Sequence, residues 1–248
     1  RLKSQKTILR YWVPLTLSCL MMAAEGPFLT ALVARGDDPK YNLAAYGVAF
    51  SIALIIESPV ISILSATAAL MNGRATHQVL WRSICALNIL TTLAMVLIII
   101  PAVFNAVIGT FFNLDPKVAE LTYMALPLML LWPAPIGYRR FNQGLLIRYG
   151  QTKLVSYGSA IRVAAMMGGG YLIHRYSGLP AACVGTGGLI SGVTAEALAS
   201  RIMANSIIKD LRAGKLEQPN AVVVTYPEFV RFYWPLTLMI IVSFSVRP

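Results

Sequence analysis

Six charged residues stand inside stretches that are otherwise apolar. Glu25 is followed by Gly26 and Pro27, Glu57 by Ser58 and Pro59, and Glu196 lies between two alanines. Arg162 interrupts a fourth apolar stretch, and Arg139 and Arg140 fall in the last third of a fifth. A charge near the centre of a bilayer costs roughly 3 kcal/mol or more, so each of these residues needs a physical reason to be there. A carboxylate facing a water-filled cavity can take up a proton, bind Na⁺ or hold a cationic solute. A guanidinium in the same cavity can hold an anionic one. The bland reading is a structural ion pair, for example Glu57 with Arg162. No basic residue lies three or four positions from Glu25 in its own helix, which favours an ion-binding role for it.

Neighbouring polar residues sharpen the expectation. Ser51, Ser58, Ser62 and Ser65 follow spacings of 7, 4 and 3, which place them on one stripe of a helix with Glu57 beside it. Ser18 and Glu25 are seven apart and share a face. Such serines either line a cavity or let helices pack closely. The expected coupling-ion or cation site is Glu25 with Glu57. The expected solute-binding cavity is lined by Ser58, Ser62, Arg139, Arg162 and Glu196.

Other chemistry finds little support. The two histidines, His77 and His174, fall between the apolar runs, so no zinc-protease pattern is formed, and no glycine-rich nucleotide loop occurs. Cys19, Cys85 and Cys183 sit in apolar surroundings and read as small hydrophobes rather than disulfides or metal ligands. No cofactor, metal site or enzymatic activity is expected. An intramembrane enzyme, the rival class, would need paired catalytic residues.

The elements that would position these charges are long and apolar. Hydrophobic residues make up 57% of the 248 and charged ones 12%, about half the share usual in soluble domains. Mean hydropathy is +0.66. A net charge of +11 could suggest a nucleic-acid binder, but the basic residues are scattered between apolar runs, which points to a lipid bilayer and to no nucleic-acid partner. Six complete runs are read at Tyr11–Val33, Leu43–Met71, Ile84–Phe104, Leu121–Leu145, Leu154–Ile173 and Ala181–Ile207, with a further one opening at Phe229. About 20 residues cross the hydrocarbon core as a helix, and lipid leaves no alternative for an unclosed backbone. The second and sixth runs are overlong. Pro27, Pro59, Pro127, Pro133 and Pro135 are candidate kinks, and Gly168–Gly170 with Gly185, Gly187, Gly188 and Gly192 read as packing positions.

Of the 21 lysines and arginines, 15 fall on one side of this arrangement and four on the other (Arg35, Lys40, Lys117 and Arg175). The richer side is expected to be cytoplasmic, together with the N-terminus. The segment around Ser206–Tyr226, with Gly214 and Pro219, is read as a cytoplasmic linker.

A repeat crosses that linker. Leu9-Arg-Tyr-Trp-Val-Pro-Leu-Thr-Leu17 aligns without gaps with Val230-Arg-Phe-Tyr-Trp-Pro-Leu-Thr-Leu238, at a constant offset of 221 residues. Pro27 falls opposite Pro248. The repeat implies parallel halves, with a first lobe over residues 1–208, a linker over 209–228 and the start of a second lobe over 229–248. The parent chain is expected to continue into that second lobe.

The order of these features resembles the first lobe of multidrug and toxic compound extrusion (MATE) transporters and their wider flippase superfamily. The residues that carry it are Pro14 followed by Glu25, then Leu43-Ala-Ala-Tyr-Gly-Val-Ala-Phe-Ser-Ile52, Met71-Asn-Gly-Arg74, Leu114-Asp-Pro-Lys-Val-Ala-Glu120 and Asn142-Gln-Gly-Leu-Leu-Ile-Arg-Tyr-Gly-Gln-Thr-Lys153. The resemblance spans essentially the whole chain. It implies an all-α polytopic fold, the six-helix N-terminal lobe of a twelve-helix transporter plus the start of its seventh helix. The implied activity is export of a small-molecule solute across the inner membrane, by H⁺ or Na⁺ antiport with alternating access. Its partners would be the bilayer and the second lobe of the same chain. Two features depart from the family pattern. The first-helix acid is Glu25, about one turn earlier than the family's usual Asp, and Arg139, Arg140 and Arg162 are unlike a simple organic-cation site. With Tyr46-Gly47, they look closer to the progressive-ankylosis-like branch, which is associated with organic anions and phosphate compounds. A flippase for a lipid-linked precursor is the other alternative.

Overall fold

The computed structural model describes residues 5–112, 114–217 and 223–245, and among these it is all-helical, with no strand. The helices are α1 (Gln5–Val33), α2 (Pro39–Ile61), α3 (Ile63–Leu70), α4 (Arg74–Ile99), α5 (Pro101–Val107), α6 (Pro116–Met129), α7 (Pro133–Arg148), α8 (Thr152–Tyr176), α9 (Ala181–Met203), α10 (Asn205–Arg212) and α11 (Tyr226–Ser245), with a short π-helical turn at Ile108–Phe112. Among the described residues, four helical stretches are long and apolar enough to cross a membrane: Trp12–Val33, Pro39–Leu70, Arg74–Ile99 and Ala181–Met203. That is fewer than the six complete runs expected. The fifth run is a single helix, α8, of 25 residues. Its length suffices, but Lys153, Arg162, His174 and Arg175 lower its apolarity.

The fourth run differs most from expectation. It is two helices, α6 of 14 residues and α7 of 16, each too short to cross alone. The break falls at Leu130–Trp132, directly before Pro133. A proline disfavours the helical conformation in the residue before it and lacks the N–H that would continue the ladder. The overlong second run breaks at Ser62 and continues as α3. The overlong sixth turns at Ala204 into α10. The expected linker from residue 209 thus begins within α10, which carries Lys209, Asp210 and Arg212 in helix. The third run starts ten residues early, at Arg74, and ends before Pro101. Residues 218–222, with Pro219, lie outside the described residues, as do Arg1, Lys3 and Pro248.

The packing brings four elements around one interior. The α8–α9 pair forms the most extensive interface, and α1 lies along both of its members. On the other flank, α7 packs against α3, α4 and α9. The tight α8–α9 approach depends on missing side chains. A Cβ on Gly188 would sit 3.1 Å from the Cα of Gly170, and one on Gly192 would sit 2.8 Å from the carbonyl oxygen of Arg162. Gly168, by contrast, faces open space. The outward side of α1 is apolar, with Leu9, Trp12, Val13, Leu17 and Leu20 exposed, as suits contact with lipid or another helical surface. The start of α11 docks on α2, where the Tyr233 hydroxyl donates to the Pro59 carbonyl.

Candidate functional site

Every charged residue singled out from the sequence is at least half-buried, and four of them meet. Glu25 descends from α1, Arg139 from α7, Arg162 from α8 and Glu196 from α9. An Arg162 Nη2 donates to Glu25 Oε2 at 2.5 Å. Its other terminal nitrogen lies 3.6 Å from Glu196 Oε2. Arg139 Nη1 donates to that same Glu196 oxygen. The second Glu196 oxygen accepts from Gln143 Nε2 at 2.9 Å and from the Ser159 hydroxyl at 3.5 Å. Ser159 in turn shares a 2.5 Å hydrogen bond with Ser18 on α1. Glu196 is therefore the hub, fully buried beside an Arg139 that is 1% exposed.

Helical spacing explains the convergence. Arg139, Asn142 and Gln143 are three and four residues apart and share one face of α7. Ser159 and Arg162 are likewise three apart on α8, and Glu196 faces them across the glycine seam. On α1, Ser18 and Glu25 are both buried and both reach α8, as their seven-residue spacing implies. A buried ion pair is maintained where remaining lone pairs and protons are also satisfied. Here they are not all satisfied. Glu25 Oε1, Arg139 Nε and Arg162 Nε are buried with no hydrogen-bond partner.

The structure corrects several expectations. Glu25 has no basic partner in its own helix, but Arg162 reaches it from α8, so the case for an unpaired carboxylate does not stand. Glu57 is not paired with Arg162. It accepts instead from the indole Nε1–H of Trp132, in the break between α6 and α7. Among the described residues it forms no ion pair within 4.0 Å, while Arg140, Arg139 and Arg162 lie within electrostatic reach. Glu25 and Glu57 therefore have different direct partners. The serine stripe does not line one cavity either. Ser58 and Ser62 are buried, Ser51 and Ser65 exposed, and Ser58 returns its hydroxyl to the Ile55 carbonyl. Ser62 Oγ is buried with no partner. Arg140, adjacent to Arg139 and turned about 100° from it by helical geometry, is only half-buried.

No family model matches the chain, and no curated protein or solved structure matches it.

Sequence reasoning missed Trp132, Gln143 and Ser159. Gln143 and Ser159 carried a signal: a polar residue four after Arg139, and a small one three before Arg162. Trp132 did not, because an indole inside an apolar run reads as packing until its N–H finds an acceptor. Among the described residues, no three of His, Cys, Asp and Glu come together.

Chemically, the arrangement is a set of balanced, exchangeable pairs. Two carboxylates and two guanidiniums share one interior, and a third carboxylate is held by a neutral donor. Protonating either paired carboxylate would release a guanidinium to another acceptor.

Proposed function

We propose that this chain is the first lobe of a MATE-like secondary transporter of the inner membrane, with a cytoplasmic N-terminus, exporting a small solute by exchange with a cation. The observation that supports it most is the Glu25–Arg162–Glu196–Arg139 cluster. A bilayer protein with a purely structural core gains little from four buried charges, whereas one that moves charge uses such groups. On this reading residues 1–208 form the lobe, 209–228 the linker, and 229–248 open a second lobe related to the first by the repeat at 221 residues. With Arg139 and Arg140 counted inside the membrane, the basic asymmetry is 13 to four and supports the orientation.

The pairing favours H⁺ over Na⁺ as the coupling ion. Each carboxylate of the cluster already holds a guanidinium, so a metal cation would have to displace one. A proton needs only one oxygen, and Glu25 Oε1 has no partner. Uptake of that proton would loosen Arg162, which could then hold an anionic solute. The three arginines of this region favour such a solute, which supports the organic-anion and phosphate-compound reading, and a lipid-linked pyrophosphate would draw on the same charges.

The test uses the complete protein in proteoliposomes, with organic anions and phosphate esters offered under an imposed pH gradient. Exchange that follows the gradient and is abolished in Glu25→Gln, with the variant still folded, is expected. Transport in Glu25→Gln that still follows the gradient would remove Glu25 from coupling. Exchange driven by Na⁺ alone would overturn the proton reading.

A further inference from the structure

Away from the charge cluster, helices α4, α7, α9 and α10 line a cavity of about 240 Å³. Its walls are aromatic. Trp81 stacks at an angle on Phe141 with centroids 5.4 Å apart, and its other edge meets Tyr138 at 5.7 Å. His77 meets Phe141 at 5.4 Å. Arg201 and Arg212 supply two positive charges, and no acid lines the cavity among the described residues. Arg201 is held in place by Asn205, whose side-chain oxygen accepts from it at 3.1 Å.

Two lining side chains each carry one polar atom without a partner. His77 is 8% exposed and Asn142 is 0% exposed, yet His77 Nε2 and Asn142 Oδ1 make no hydrogen bond. An unpaired buried polar atom costs about 1–3 kcal/mol, and a ligand that supplies the missing bond recovers it. Asn142 Oδ1 is an acceptor only, so it asks for a hydroxyl or N–H donor. The arginines ask for an anionic oxygen. A site of this size is below the range of drug-sized ligands and suits a compact polar anion.

We propose that this cavity binds a phosphate ester carrying a free hydroxyl, the chemistry shared by soluble glycerol phosphate and the headgroup of phosphatidylglycerol. The phosphate lies against Arg201 and Arg212, and the hydroxyl donates to Asn142. The aromatic wall excludes water from both. This site is independent of the transport reading.

The test measures binding of glycerol 3-phosphate to the complete protein by calorimetry in detergent, and in nanodiscs of phosphatidylcholine with and without phosphatidylglycerol. Saturable binding is expected in detergent, with glycerol inactive because it lacks the charge. Arg201→Gln and Arg212→Gln should each weaken it about tenfold, the loss of one charge-assisted bond. Arg212 is exposed, so its variant keeps the fold, which an unchanged melting temperature verifies. Competition by phosphatidylglycerol nanodiscs identifies the headgroup as the natural occupant, and equal binding in both nanodiscs identifies the soluble ester. Binding that ignores both arginine changes, or no binding together with no dependence on phosphatidylglycerol, overturns the proposal.

Discussion

Glu196→Gln is the change to which the buried cluster should respond most. The substitution keeps shape and one acceptor oxygen but removes the charge that Arg139 and Arg162 share. Arg139 then has no carboxylate partner, at 1% exposure. Arg162 keeps Glu25 at 2.5 Å. Breaking a buried pair by removing one partner costs about 3–5 kcal/mol. For a chain of this length, each kcal/mol lowers the melting temperature by about 2–4 °C, giving a drop of roughly 6–20 °C. Glu25→Gln should be milder. It removes one partner from Arg162, which retains Glu196, and an amide oxygen still accepts, so the loss is about 1–2 kcal/mol. Thermal melting of the detergent-purified protein, followed by tryptophan fluorescence, measures both. The double variant Glu196→Gln/Arg139→Gln should recover part of the loss, because the orphaned charge is gone. A Glu25→Gln loss equal to or larger than that of Glu196→Gln, or no recovery in the double variant, would refute Glu196 as the hub.

Three further outcomes follow from other contacts. Gly192→Ala should lose about 1–3 kcal/mol, because its Cβ meets the Arg162 carbonyl, while Gly168→Ala, in open space, should melt at or slightly above the parent temperature. Trp132→Phe should destabilise by about 1–3 kcal/mol by leaving Glu57 without its donor, and more than Glu57→Gln, which keeps an acceptor for the indole. At the start of α11, the Thr225 N–H and hydroxyl both donate to Glu228 and hold its carboxyl below the usual range. A lowered folded-state value contributes stability above the unfolded value and loses it as pH falls through the folded one, so the protection of amides in that first turn, relative to the intrinsic exchange rate at each pH, should fall in acid, and Glu228→Ala should abolish that fall.

The helices were legible because apolar length is a one-dimensional signal. One break was signalled, at Pro133, a candidate kink; the others were missed, at Pro101 inside a run read on to Phe104, and at Ser62 and Ala204, where no proline stands. The charges were legible as anomalies in an apolar background. Their pairing was not, since Glu25 and Arg162 are 137 residues apart and Arg139 and Glu196 are 57 apart. Which acid meets which arginine is set by the order in which helices pack, and that order is decided by shape. The glycines at 188 and 192 carry that information, but only when set against the residues they approach. Spacing alone grouped Ser51 and Ser65 with Ser58 and Ser62, because a helical wheel has no depth and the helix itself ends at Ser62.

The glycine seam between α8 and α9 restricts how this interior can be rearranged. Backbone lies near backbone at Gly170 and Gly188, where a Cβ on Gly188 would come within 3.1 Å of the Gly170 Cα. Arg162 and Glu196 ride on those two closely packed helices, which form one plate. The first helix is attached by contacts of two kinds: Leu32 and Val33 pack against Gly170 and Gly185 of that plate, while Ser18 on Ser159, the Pro14 carbonyl on Ser156 and Glu25 on Arg162 are polar fastenings for which water or a proton can compete. Those polar fastenings can be undone without disturbing the glycine seam.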